Sequence, residues 1–446
     1  MQSTALLTDR YELTMLEAAL ADGTAHRRCV FEVFARRLPA GRRYGVLAGT
    51  GRLLEALTAF RFGESELEWL REQGVVGEET LAYLAGYRFT GTISGYEEGD
   101  LYFPGSPVLT VQGTFGEAVL LETLILSILN HDSAVAAAAS RMTMAAGTRP
   151  CLEMGSRRAH EEGAVAAARA AVVAGFTGTS NLEAGRRYGL ETIGTAAHAY
   201  TLLHDDERSA FASQVAAAGP GTTLLVDTYD VQRGVARAVE VAGPGLGAVR
   251  LDSGDLPTLA SEVRAQLDAL GATGTRIVVS SDLDEYAIAS LAAAPVDSYG
   301  VGTSVVTGSG HPTCGMVYKL VLREAADGVM RPVAKAAAEG KSSVGGRKVA
   351  ARRLENALAT EEVVVVSRDE DAPDLAALGA LEENERLRRL VVPLVSDGVV
   401  DTRYVGAEGV ARAARRHAAS RAELPRASHR LSDGDPAIPT EVLRPR

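Results

Sequence analysis

His198 stands in the run Leu190 to Tyr200 (LETIGTAAHAY), at the end of a strand-like segment among Gly, Thr and Ala. A nucleophilic imidazole needs room and nearby oxygens, and small neighbours leave that room. A histidine packed in a loop fits the same residue types, so the reading rests on the motifs that accompany it. Gly300 to Ser304 (GVGTS) offers glycines that let backbone N–H groups approach an anion and hydroxyls that add donors, although a plain turn has the same composition. Arg250 to Asp255 (RLDSGD) sets a cation and two carboxylates around a tight turn. One carboxylate can accept ribose hydroxyls and another can help hold a hydrated magnesium ion. The same residues also suit a capped helix start, with Pro257 just inside it. Gly155 to His160 (GSRRAH) carries adjacent arginines whose forks bind carboxylate or phosphate, or that simply face solvent. Gly175 to Asn181 (GFTGTSN) has the small polar make-up of a ligand loop. Asp227 to Asp230 (DTYD) can orient an imidazole or end a strand and cap a helix.

These motifs need elements to carry them. From about residue 176 a short apolar run ending in polar residues alternates with about 10 to 15 helix-like residues. TTLLV runs into DTYD, AVRL into DSGD, RIVV into SSDLD, and DSY into GVGTS. Such βα units imply a parallel sheet, open or closed into a barrel. Ligands then sit at the carboxyl ends of the strands, where this chain puts Asp227, Asp230, Asp252, Asp255, Asp282 and the 300–304 loop. Upstream, a helix is expected from near Asp9, with Leu13, Leu16 and Leu20 on one face, and a strand over Cys29 to Phe34. Gly91 to Pro107 reads as strand and turn. Residues 116–175 read as Ala-rich helix, broken near Met154 to Arg158. The last hundred residues hold GKSSVGGRK (340–348), a strand-like LVVPLV, an Arg/Ala-rich helix at 406–422 and a loose tail.

A chain of 446 residues implies two or three packed units. Its 46% hydrophobic and 23% charged content describes an ordinary globular core. A net charge of -11 argues against nucleic acid as a partner and leaves room for a local basic site for a small anion. Cys29, Cys151 and Cys314 form no CxxC pair and no zinc spacing, so buried thiols in a reducing cytoplasm are expected. Asp9, Arg10 and Glu12 come too early to leave a secretory apolar core. No uncharged apolar run reaches the ~18 residues of a membrane span. Val119 to Leu129 comes nearest and holds Glu122, so no membrane partner is expected.

Taken in order, the motifs resemble the nicotinate phosphoribosyltransferase family, the group that also holds nicotinamide phosphoribosyltransferase. The resemblance runs through TDRYELTM (8–15), FEVFARRLPAGRRYGVLAG (31–49), GSRRAH, FTGTSN, GTAAHA (194–199), DTYD, RLDSGD and YGVGTS (299–304). It implies an α/β fold: a central irregular α/β barrel of the type II phosphoribosyltransferases, over 116–340, with a flanking α+β domain built from 1–115 and 341–446. It implies coupling of nicotinate to phosphoribosyl pyrophosphate, giving nicotinate mononucleotide and pyrophosphate, in NAD salvage. ATP as co-substrate and Mg2+ are implied with it, through a phosphohistidine that matches His198. Tyr11 matches an aromatic that stacks on the pyridine ring from the partner subunit, which implies a homodimer with shared sites. Arg157 matches a residue near the pyridine and phosphates, and Asp9, Arg158, Thr179, Ser180 and Asn181 fall in the matching substrate segments. Arg250 and Asp252 match ribose and phosphate contacts, Gly302 and Thr303 the 5'-phosphate site, and Asp227 a carboxylate beside the reactive histidine. Asp255 is the candidate for magnesium, through water. Met154 departs from the family, which often has a ring-sandwiching Phe there; a thioether still packs on an aromatic face.

Acid and amide substrates differ in charge, so their pockets should too. At the FTGTSN loop the nicotinamide enzymes carry an Asp that accepts from the amide. Ser180 stands there in this chain and does not repel a carboxylate, and Arg158 adds a cation where those enzymes show Gly. A carboxylate facing Asp in a dry pocket costs several kcal/mol, so nicotinate is the expected substrate. The competing readings are a nicotinamide or quinolinate phosphoribosyltransferase and a non-catalytic nucleotide-binding relative. GTAAHA and DTYD speak against the quinolinate enzyme, which uses no phosphohistidine, and the retained His198 and RLDSGD carboxylates speak against the non-catalytic one.

Overall fold

The computed structural model describes residues 3–335, 344–367 and 386–444. Residues 340–343 of the GKSSVGGRK run lie outside them. The chain forms two compact units, one from 138–310 and one from 1–137 with 311–446. The sequence pattern placed the seams near 115 and 340. The Ala-rich helix Glu122–Ala146 runs through residue 137 without a change of composition, and the strand Met316–Glu324 pairs with Arg28–Ala35, so the units part at other points.

In the 138–310 unit the repeating strand and helix segments build a six-stranded parallel sheet that curls as half a barrel. Its spatial order is Gly178–Thr179, Cys151–Glu153, Ser298–Val301, Arg276–Ser281, Ala248–Leu251 and Thr223–Leu225. The short strand Cys151–Glu153 occupies the break near Met154, where periodicity showed only an interrupted helix. The helices that follow the strands are Glu161–Val173, Leu182–Tyr188, Val231–Ala242, Leu256–Ala269, Glu285–Ser290 and Thr303–Val306. Short polar side chains start four of them. Asn181, Asp230, Asp255 and Asp284 each accept backbone N–H bonds from the first turn. Where a helix crosses close to the sheet, glycine makes the room. A Cβ on Gly234 would lie 2.3 Å from the Val226 carbonyl oxygen.

The other unit is α+β and draws on both chain ends. In its seven-stranded sheet Arg28–Ala35 is flanked by Leu109–Thr114 and by Met316–Glu324, both antiparallel, and Thr92–Tyr96 pairs with Val391–Ser396. The expected helix at Asp9 is Arg10–Ala21, and it buries Leu13 and Leu16 against a core that includes Phe31 stacked on Tyr318 at 4.7 Å. The segment Phe115–Ala146 is long and apolar enough to cross a membrane by length and composition, and most of it is buried within the protein.

A buried ionic cluster joins distant parts of this unit. Arg352 reaches Glu362 at 2.7 Å, Asp100 at 3.3 Å and Glu423 at 3.4 Å, while Arg388 reaches Asp100 at 2.7 Å and Ser420 Oγ donates to Asp100 at 2.6 Å. Burial alone would push the Asp100 carboxyl up, but the charges of Arg352, Arg388 and Arg416 outweigh it and hold the pKa at about 2. The folded value lies below the unfolded one, so the contribution is present above about pH 4 and is lost as pH falls through about 2. The difference corresponds to about 2 kcal/mol. Urea unfolding of the wild type should therefore lose roughly that much more than Asp100→Asn does between pH 4 and pH 2.

Candidate active site

Parallel pairing brings the strand ends of the 138–310 unit into line. Glu153 pairs with Thr179 and Val301, Val301 with Ser281, Val279 with Leu251, and Leu225 with Arg250. The residues that leave this edge line a cleft of about 200 Å³: Met154, Arg157, Ser180, the 193–197 loop, Arg250, Asp252, Ser280, Ser281, Gly300 and Gly302. Close packing around Gly300 forms one wall, since a Cβ there would lie 2.7 Å from Met154 Sδ.

His198 is the first residue of a short helix, His198–Leu203, rather than the end of a strand. The strand-like start of LETIGTAAHAY makes one parallel bridge, Thr179 to Thr192, and Ile193 N–H donates to Thr179 O at 2.9 Å. The small residues 194–197 then cross the cleft as a loop. His198 Nδ1 lies 3.1 Å from Thr228 Oγ1, and Nε2 faces Asp252 Oδ2 at 3.8 Å. Asp227 was expected to orient this ring and has other partners. Its Oδ2 accepts from Asp252 N–H at 2.8 Å and from Ser253 Oγ at 2.9 Å, and its Oδ1 is buried with no partner among the described residues. Asp227 thus holds the RLDSGD turn, and Thr228, its neighbour in DTYD, meets the imidazole.

Asp252 accepts from Ser280 Oγ at 2.5 Å. Arg250 donates to Thr195 Oγ1, and its Nε is buried with no partner among the described residues. Burial pushes the guanidinium pKa down, and the carboxylates of Asp252 and Asp227 act against that. A half-buried, largely unpaired guanidinium beside hydroxyls and backbone N–H groups suits an anion such as a phosphate.

The remaining expected residues divide. Arg157, Ser180 and Gly302 line the cleft. Arg157 and Arg158 are both exposed in the turn Ser156–Arg158, and only Arg157 is in the lining. Thr303 begins the helix Thr303–Val306, exposed and outside the lining. Thr179 is fully buried, and its hydroxyl donates to Glu153 Oε2. Asn181 caps Leu182–Tyr188 through Ala184 N–H at 2.9 Å and donates to Ser156 Oγ at 3.1 Å. Thr179 and Asn181 therefore support the loop that presents Ser180. Asp9 and Tyr11 belong to the other unit, both exposed. Asp255 spends both carboxylate oxygens on Thr258, as the alternative capping reading requires.

Among the described residues no three His, Cys, Asp or Glu side chains converge as a protein-only metal site. Magnesium carried on substrate phosphates needs only one or two carboxylates. The unpartnered Asp227 Oδ1 and the cleft-lining Asp252 fit that role better than the occupied Asp255. Sequence reading passed over Thr195, Thr228, Ser280 and Glu153 as site residues. Thr195 and Thr228 lay inside motifs already singled out and Ser280 inside the quoted SSDLD, whereas Glu153 ends an apolar strand and has no local signal of its own.

Residues 6–130 match the family model of the nicotinate phosphoribosyltransferase (NAPRTase) N-terminal domain. The chain is 56% identical to nicotinate phosphoribosyltransferase pncB1 of Mycobacterium tuberculosis (strain CDC 1551 / Oshkosh), over 98% of this chain and 95% of the relative. It is 39% identical to the nicotinate phosphoribosyltransferase of Bacillus subtilis (strain 168), over 72% of this chain and 67% of that one. In fold it is similar to the crystal structure of human nicotinic acid phosphoribosyltransferase, with a TM-score of 0.80 at 24% identity, covering 98% of this chain and 97% of that one.

Asn181→Ala should cost about 1 kcal/mol in urea unfolding, since the cap of Leu182–Tyr188 and the bond to Ser156 go together. A loss under about 0.3 kcal/mol would mean that the Asn181 side chain is idle.

Proposed function

The chain belongs to the nicotinate phosphoribosyltransferase family, and on that premise we propose that it makes nicotinate mononucleotide and pyrophosphate from nicotinate and phosphoribosyl pyrophosphate, coupled to ATP hydrolysis through a phosphohistidine at His198. The observation that carries the reading is that His198 faces Asp252, which lines one cleft together with Arg250, Arg157 and Ser180.

In the proposed cycle Thr228 holds Nδ1, and Nε2 accepts the γ-phosphoryl group of ATP as ADP leaves. Nε2 is the nitrogen with no hydrogen bond to a side chain, and Asp252 beside it steadies the positive charge that the ring gains. Arg250 and the backbone of the Gly302 turn receive phosphate oxygens. Magnesium on those phosphates, with Asp252 and Asp227 as its carboxylates, would offset their charge. The C1–pyrophosphate bond of the ribose breaks with cationic character on the sugar, and the pyridine nitrogen forms the new bond. Water then hydrolyses the phosphohistidine to phosphate and restores the imidazole. The protein's share is positioning and fixed charge.

Ser180 and Arg157 support the acid as substrate, because a hydroxyl and a cation favour a carboxylate. Arg158, exposed outside the lining, adds only a screened, longer-range field. A homodimer with shared sites is supported by exposed Leu182, Leu202, Leu203 and Tyr229 in the 138–310 unit and by exposed Leu7 and Tyr11 in the other. The three free, buried cysteines suit a reducing cytoplasm.

The direct test is mononucleotide formation with phosphoribosyl pyrophosphate and magnesium, comparing nicotinate with nicotinamide, each with and without ATP. Nicotinate-specific product with matched ADP release is expected; product from nicotinamide would overturn the substrate, and none from either would favour a binding protein. His198→Ala should lose ATP-stimulated turnover and keep a slow ATP-independent transfer, read as product with no ADP release. Full coupling in that variant would remove His198 from the role. Ser180→Asp should lower the preference for nicotinate over nicotinamide by about tenfold or more, since one buried like-charge contact is worth over about 1.4 kcal/mol.

A further inference from the structure

We propose that Glu153 is the positioning residue of the nicotinate end of this site: its buried carboxylate ties the turn that carries Arg157 to the loop that carries Ser180, and so sets the spacing of the two groups that meet the substrate carboxylate. The proposal rests on the reading of nicotinate as substrate.

Glu153 ends the strand Cys151–Glu153 and its side chain is fully buried. Its Oε1 accepts the Gly155 N–H, and its Oε2 accepts the Thr179 hydroxyl at 2.5 Å. Its backbone carbonyl accepts the Ser180 N–H at 2.8 Å. Thr179 Oγ1 in turn accepts the Asn181 N–H at 3.0 Å, and Asn181 Nδ2 donates to Ser156 Oγ at 3.1 Å. The bonds close a ring through residues 153, 155–156 and 179–181, with Arg157 leaving one side and Ser180 the other. There is no room for a side chain at Gly155, where a Cβ would lie 2.3 Å from Val306 Cγ1, 2.8 Å from the Gly302 carbonyl oxygen and 3.0 Å from Glu153 Oε1.

The chemistry of the position supports a purpose beyond filling space. Among the described residues no cation is paired with Glu153, and burial pushes its pKa up while the bonds from Thr179 and Gly155 pull against that. An uncompensated buried carboxylate is costly, and an apolar side chain would fill the volume more cheaply. What a carboxylate supplies is two acceptor oxygens in a fixed plane, one for each substrate loop. Arg250 and His198 have their own partners in Thr195, Thr228 and Asp252, and among the described residues the side-chain bonds of Glu153 reach neither of them.

The test compares wild type, Glu153→Gln, Thr179→Val and the double variant, measuring KM for nicotinate and for phosphoribosyl pyrophosphate, kcat, melting temperature, and labelling of His198 by radiolabelled ATP. Glu153→Gln should raise the nicotinate KM about tenfold, with the other KM and His198 labelling within about twofold of wild type. Thr179→Val should give a smaller rise of the same kind, and the double variant should fall short of the product of the two single effects, because both substitutions act on the Glu153–Thr179 bond. An unchanged nicotinate KM in both single variants would overturn the proposal. So would a fall in all parameters together with the melting temperature, which marks a mere structural prop. If Glu153→Gln does not fold, Thr179→Val decides. A wild type that makes no nicotinate mononucleotide would instead sink the functional reading, whereas an active wild type with insensitive variants sinks only the role of Glu153.

Discussion

Register in the parallel sheet of the 138–310 unit is the constraint on which the rest depends. A parallel ladder fixes each strand against its neighbour, and a slip of one residue would send every side chain to the opposite face. With Glu153 level with Thr179 and Val301, and Val301 level with Ser281, the chain leaves the sheet at Met154, Ser180, Gly302 and Asp282 along one edge. Arg250 and Asp252 flank the end of the next strand. Groups separated by up to about 150 residues of chain thus meet in one small cleft, at the edge where α/β sheets place their ligands. The barrel need not close for this to hold. The terminal strands of the half-barrel are Gly178–Thr179 and Thr223–Leu225, and the cleft gathers from the first of these and the strands between.

The other unit solves a different problem, since its strands come from both ends of the chain. Hydrophobic burial cannot tell one strand partner from another with much precision, but a buried charge tolerates few arrangements. Asp100 from the first third of the chain meets Arg352, Arg388 and Ser420 from the last quarter, and Arg352 also satisfies Glu362. Each group would be expensive alone. Together they specify which C-terminal segment packs where.

Much of this was legible in the residues. The alternation of apolar runs and helical stretches after residue 176 reported the parallel sheet, because strand, cap and helix are all written locally. The aspartates at strand ends had two readings, and the structure divides them by neighbour. Asp230 and Asp255 cap helices, Asp252 lines the cleft, and Asp227 holds the turn between them. That division was not readable from type and position, since each stands at a strand end beside a helix start. The partners of His198 were hidden for a related reason. Thr228 and Asp252 come from two different strands, and only the pairing of those strands brings them to one ring. Arg157 and Arg158 are adjacent and alike in sequence, and a single turn of backbone separates their fates. Glu153 had no signal at all, because a carboxylate that ends an apolar strand looks like a boundary marker until its two bonds are seen.

The pairing of Arg28–Ala35 with Met316–Glu324 also orders events in time. The strand partner on one side, Leu109–Thr114, is synthesised soon after, but the other arrives about 280 residues later. At about 5–20 residues per second, RCVFEVFA waits on the order of 15 to 55 seconds with one edge unpaired. The 138–310 unit is continuous in the chain and is finished within that interval. The nascent protein therefore completes the 138–310 unit while Arg28–Ala35 in the other still lacks one strand partner, and an unpaired strand edge is where a chaperone would be most useful during translation.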